Sequence, residues 1–124
     1  MASTEYRGST TYFVVYAELI QAARYRGLTT YQKIAQLMGL PLSGSHMGRQ
    51  VGQVLDEISK DEVQHGRPML SAVAVGVSGR PGPGFAALAR RLGRLADNAD
   101  ERVFWEQECR RVYDTWAPTY KERK

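Results

Sequence analysis

The stretch Leu28 to Leu55, LTTYQKIAQLMGLPLSGSHMGRQVGQVL, decides how the rest of the chain is read. Thr29 and Thr30 carry hydroxyls able to accept the unpaired N–H groups of a first helical turn, and Ile34, Leu37 and Met38 follow at helical spacing. Gly39 can take the left-handed conformation that closes a helix and Pro41 cannot extend the hydrogen-bond ladder, so this first helix is expected to stop there. A second helix is expected from about Ser45. Its Val51, Val54, Leu55 and Ile58 form one apolar stripe and leave Arg49, Gln50, Gln53 and Lys60 pointing elsewhere. Two helices joined by a Gly-containing turn, the second with Arg and Gln near its start, are what a helix-turn-helix needs to present side chains to a DNA groove.

The segment from Thr29 to Gly39, TTYQKIAQLMG, resembles the TTYGxIAxxxG opening of the helix-turn-helix in O6-alkylguanine-DNA alkyltransferases and the catalytically inactive alkyltransferase-like proteins. Arg49 to Leu55, RQVGQVL, resembles their RAVGxAL recognition helix. The likeness covers about a fifth of the chain, and aligning the second motif takes about four extra residues in the Leu42 to Gly48 turn. Without them Gly48 rather than Gly52 falls at the family's glycine. The PCHRV motif that carries the acceptor cysteine is absent, and the only cysteine, Cys109, lies far downstream. The resemblance therefore implies duplex or minor-groove binding through the second helix, with Arg49 at the place of the family's arginine finger, and leaves alkyl transfer without its nucleophile.

At 124 residues the chain is expected to form one domain, and 43% hydrophobic with 24% charged residues is ordinary globular composition. The distribution of charge says more than the net +4. Between Leu19 and Leu55 no acid stands against Arg24, Arg26, Lys33 and Arg49, and between Val63 and Ala96 none stands against Arg67, Arg80, Arg90, Arg91 and Arg94. Acids gather instead at Asp56 to Glu62 and from Asp97 to Asp114. Such segregation can build a basic face that attracts phosphates by releasing their counterions, though a solvated surface with scattered Arg reads the same in sequence. A single cysteine forms no internal disulfide, and two distant histidines make no zinc site, so neither metal nor cofactor is expected. With no apolar signal core near the N-terminus and no run long enough to span a bilayer, a soluble cytoplasmic protein is expected.

The expected fold class is α+β and mostly helical: a helix-turn-helix, winged-helix-like core with a short β element and a C-terminal helix. Residues 1–10 are read as a loose arm, 11–116 as the domain and 117–124 as a charged tail. A first helix is expected over Thr11 to Tyr25, ended by Gly27, with Tyr12, Val15, Tyr16, Leu19 and Ala23 on its buried stripe. The second helix of the motif should reach about Gln64, before Gly66 and Pro68. Met69 to Val77, MLSAVAVGV, reads as a strand covered on both faces, its partner sought near the N-terminus, just after Val77 or in another subunit. After the SGRPGPG turn, a helix from Phe85 to about Leu95 should expose Arg90, Arg91 and Arg94. A last helix, capped by Asp97 or Asp100, should run to Trp116 with Cys109 inside.

Three functions compete. A small non-catalytic DNA-binding protein would use Arg49 with Gln50 or Gln53 on bases, and Thr30, Tyr31, Arg80, Arg90 and Arg91 on phosphates, in repair signalling, transcription control or phage and plasmid biology. A nuclease or small-ligand domain would centre on Glu62, His65, Arg67 and Ser71, a carboxylate, imidazole, guanidinium and hydroxyl at a helix–strand junction; Glu62 beside the apolar stripe equally calls for an ion pair with Arg67. An adaptor or inhibitor would mate a basic face with an acidic protein. Duplex DNA is the expected partner, no membrane is, and homodimerisation stays open.

Overall fold

The computed structural model describes residues 5–42 and 44–118. Ser43, in the stretch read as a turn between two helices, Met1 to Thr4, read as part of an arm, and Thr119 to Lys124, read as part of a charged tail, lie outside the described residues. Among the described residues, five α-helices and one small parallel sheet make the α+β, mostly helical fold: α1 (Thr10–Arg24), β1 (Thr29–Thr30), α2 (Tyr31–Met38), α3 (Ser45–Gln64), a 3-10 turn (Leu70–Val73), β2 (Ala74–Val75), α4 (Pro83–Arg91) and α5 (Glu101–Trp116). No helix among the described residues is long and apolar enough to cross a membrane.

The local signals around the opening stretch act as their chemistry requires. The Thr30 hydroxyl accepts the Lys33 N–H and caps α2, and Gly39 closes it at φ 75°. At the end of α1 the left-handed position falls to Arg26 (φ 55°) rather than to Gly27, so the helix closes one residue earlier than glycine placement implied. Ser9 and Asp100 cap α1 and α5, and Pro83 occupies the first turn of α4, where its missing N–H costs nothing.

The segment read as one strand is a correction. Leu70 to Val73 coil into a 3-10 turn and only Ala74–Val75 is extended, paired in parallel with Thr29–Thr30. Side chains take the N–H groups that a ladder would have used: Met69 N–H donates to the Glu108 carboxylate at 2.9 Å and Ser71 N–H to the Ser59 hydroxyl at 3.1 Å. Burial on all sides holds as far as Val75, whereas Val77 is 97% exposed at the tip of the following turn. This 3-10 turn packs on α1, α3 and α5, and the Trp105 indole and Cys109 thiol both reach the Ala72 carbonyl.

Two buried carboxylates flank the chain as it enters that turn. Glu62 accepts two bonds from Arg67 (3.0 and 2.6 Å) and one from the Tyr16 hydroxyl (2.7 Å); burial and this carboxylate push the Tyr16 pKa up to about 12, so the phenol stays a donor. Arg67 also lies 5.6 Å from the Trp116 ring centroid. Glu108 accepts from Met69 N–H, Arg94 and Arg111.

Residues 5–10 also depart from a loose arm. The Tyr6 and Arg7 N–H groups donate to Glu57 on α3 (2.9 and 2.7 Å), and Arg7 pairs with Asp61 at 2.9 Å.

Candidate nucleic-acid interface

The face in question is the amino-terminal half of α3 with the elements on either side of it. Helical spacing puts Gly48, Arg49, Gly52 and Asp56 along one ridge. On one side the ridge borders a slot of about 380 Å³, closed by Tyr31, Leu55 and Phe85 and by the Gly82-Pro83-Gly84 turn, with Ser71 also lining it. On the other it borders an open groove of about 820 Å³ shared with Glu5, Arg7, Glu57 and Lys60. Arg49 lines both and is exposed; among the described residues no hydrogen bond or ion pair holds it.

The slot is a product of tertiary contact. Its Tyr31 hydroxyl accepts the Gly82 N–H at 2.5 Å, tying the start of α2 to the turn before α4. Burial raises the Tyr31 pKa, partly opposed by that hydrogen bond, so the phenol keeps its proton. A Cβ at Gly82 would lie 3.2 Å from the Tyr31 oxygen, whereas Cβ atoms at Gly48 and Gly52 would meet nothing within 4 Å. Glycine in the middle of a helix costs about 1 kcal/mol relative to alanine. At these two positions no neighbour within the chain requires the missing side chain.

The charge around Arg49 is mixed rather than uniformly basic. Half-buried Asp56 has its pKa raised by desolvation, opposed by Arg91 at 3.8 Å and by Lys60. For Asp61 burial pushes upward, but hydrogen bonds from Arg7 and Tyr12 outweigh it and hold the carboxyl below its ordinary value.

The residues expected to touch DNA divide into two groups. Arg49 and Arg80 are exposed side chains, and Thr30 is exposed while capping α2. Gln50 and Gln53 face the same side but already have partners, the Tyr6 hydroxyl and Glu57. Tyr31 lies half-buried in the slot wall. The exposed row expected on a helix from Phe85 to Leu95 is corrected: α4 ends at Arg91, Arg90 bonds Glu101 at 2.8 Å, Arg94 beyond the helix sits on buried Glu108, and Arg91 alone is largely exposed.

The set Glu62, His65, Arg67 and Ser71 does not assemble. Glu62 and Arg67 form an ion pair, exposed His65 shares its ring nitrogen with the Asp61 carbonyl, and buried Ser71 bonds Ser59 at 2.7 Å. The His65 N–H closes the helix on the Glu62 carbonyl at 3.0 Å, but neither the His65 ring nor the Ser71 hydroxyl bonds a side chain of the ion pair. Cys109 is packed, its thiol pushed up to about 12 by burial and then by the neighbouring Glu108 and Glu106. No group of His, Cys, Asp and Glu among the described residues is arranged to hold a metal ion.

Sequence reading missed Phe85, Asp56, Glu57 and Tyr6 as parts of this face. The only local signal was Gln53 four residues before Glu57, a helical pair with no hint of the Tyr6 and Arg7 donors some fifty residues away. Compared with protein-family models, curated proteins and solved structures, the chain matches none.

Proposed function

We propose that this chain is a non-catalytic duplex-DNA-binding protein that docks the first half of α3 against the DNA. The observation that carries this reading is Arg49, a guanidinium with no carboxylate partner among the described residues, held at the mouth of an apolar slot on the exposed part of the second helix. Gly48 and Gly52 on the same ridge leave room for a close approach to the helix backbone. Arg80 and Lys33, exposed on neighbouring elements, would meet phosphates, which position the protein without reading sequence. The slot, with Tyr31 and Phe85 in its wall, has the size and apolar lining of a ligand pocket and would take one ring turned out of the base stack. Repair signalling, transcription control and phage or plasmid biology all use such a module, and the slot favours the first.

The test is a titration of the full chain against single-stranded, double-stranded and alkylated duplex DNA at several salt concentrations. Duplex affinity should fall steeply as salt rises, because bound phosphates release counterions. Equal and salt-independent affinity for all three, or no binding at low salt, would remove the reading.

A further inference from the structure

The segment Glu5 to Ser9 lies across α3 on the face that holds Gln50 and Gln53. Glu57, only 6% exposed, anchors it by accepting the Tyr6 N–H on both carboxylate oxygens (2.9 and 3.0 Å) and the Arg7 N–H on one (2.7 Å). The Tyr6 hydroxyl donates to the Gln50 side-chain oxygen, and Gln53 donates to Glu57 at 3.2 Å. Arg7 spans Glu5 (3.1 Å) and Asp61 (2.9 Å).

We propose that this segment is a strap that determines which side chains of α3 read DNA, withholding Gln50 through Tyr6 while leaving Arg49 open; the proposal rests on the DNA-binding reading above. The polar groups that the strap brings to the face are already engaged. The Tyr6 hydroxyl is spent on Gln50, the two backbone N–H groups on Glu57, and the Arg7 guanidinium on two carboxylates. Strap and anchor therefore offer little to a phosphate, while Glu5 adds an anion to the groove that Arg49 lines. The Arg7 side chain, 37% exposed, keeps its two ion pairs within reach of solvent and salt screening, so an incoming polyanion that competes for the guanidinium can loosen the strap. A glutamine released in this way carries the amide pair that recognises adenine.

The test compares the full-length chain with the double variant Y6F/E57Q. The first change removes the hydroxyl that bonds Gln50. The second puts an amide nitrogen in place of one accepting oxygen: the Tyr6 N–H loses its second acceptor at 3.0 Å, and the bonds that Tyr6 and Arg7 keep to the other oxygen lose the negative charge that strengthened them. Circular dichroism checks that the helices persist, and exchange of the Tyr6 and Arg7 amide hydrogens is followed in the unaltered chain with and without duplex DNA. The variant should bind duplex DNA about tenfold more tightly, the gain expected from one recovered base contact, and DNA should speed exchange at Tyr6 and Arg7. Affinity that is unchanged or lower in the variant, or slower exchange on DNA, overturns the strap while leaving DNA binding in place. If neither protein binds duplex DNA at low salt, the underlying reading fails and the strap with it. Binding by the variant alone supports both.

Discussion

The Tyr31 hydroxyl takes the Gly82 N–H at 2.5 Å, across fifty-one residues of sequence. That one bond joins the start of α2 to the glycine–proline turn and closes the slot beside Arg49. Tyr31→Phe should cost about 1 kcal/mol in chemical denaturation, the net worth of one hydrogen bond. Gly82→Ala would push a methyl against the ring and oxygen of Tyr31, so it should lower stability and open the slot. A Gly82→Ala protein as stable as the original would show that the contact does not hold the turn in place.

Arg49→Ala separates binding from folding. The side chain is exposed and held by no partner among the described residues, so the melting temperature should not move. Duplex affinity should fall by about 1 to 3 kcal/mol if the arginine reads a base. An unchanged affinity at moderate salt counts against its assignment.

Gly52→Ala should move stability and binding in opposite directions. Nothing lies within 4 Å of the added methyl, and alanine is favoured over glycine inside a helix by about 1 kcal/mol, so denaturation should shift toward greater stability. The same methyl stands on the ridge where the DNA would approach and should weaken duplex binding. A variant more stable and equally tight in binding would remove this ridge from the interface.

Glu108→Ala strikes the interior. Its carboxylate is wholly buried and accepts bonds from Met69 N–H, Arg94 and Arg111; losing it leaves the Met69 N–H and the partly buried Arg94 without their acceptor. Breaking a buried pair of this kind costs about 3 to 5 kcal/mol, enough to unfold many small domains, and thermal melting by circular dichroism would register it. A loss below about 1 kcal/mol would mean that the Met69 turn is held by packing alone.

Asp61 gives the acid response a definite sign. Its pKa is lowered in the folded chain, so its stabilising contribution is complete above the ordinary carboxylate value of 3.8 and is lost as pH falls through the lowered value. Asp61→Asn should therefore reduce stability near neutral pH and make melting less dependent on pH below about 4. Identical acid profiles for the two proteins would show that Arg7 and Tyr12 do not hold this carboxylate as the geometry implies.

The residues from Leu28 to Leu55 were legible because their signals are local: a hydroxyl that caps, a glycine that turns left-handed, a proline that stops a helix, and apolar positions that recur every three or four residues. The pairing of Glu62 with Arg67 was legible for the same reason, since five residues separate them. Met69 to Val77 was misread because alternating apolar residues describe a fully buried segment without saying what satisfies its backbone. Glu108 and Ser59 supply the acceptors, and neither is near it in sequence. Arg90 at the end of α4 and Arg94 just beyond it were misplaced likewise, since whether they face solvent depends on α5 bringing Glu101 and Glu108 beside them.

Sequence by itself thus determined where helices form, the Thr30 and Gly39 ends of α2 and an Arg49 pointing away from the apolar stripe, all consequences of interactions within about one helical turn. Tertiary structure alone decided the parallel pairing of Thr29–Thr30 with Ala74–Val75, the slot between Tyr31 and Phe85, and the placement of Tyr6 and Arg7 on Glu57. Each of these depends on hydrogen bonds or packing between residues far apart in the chain, which periodicity and spacing do not encode.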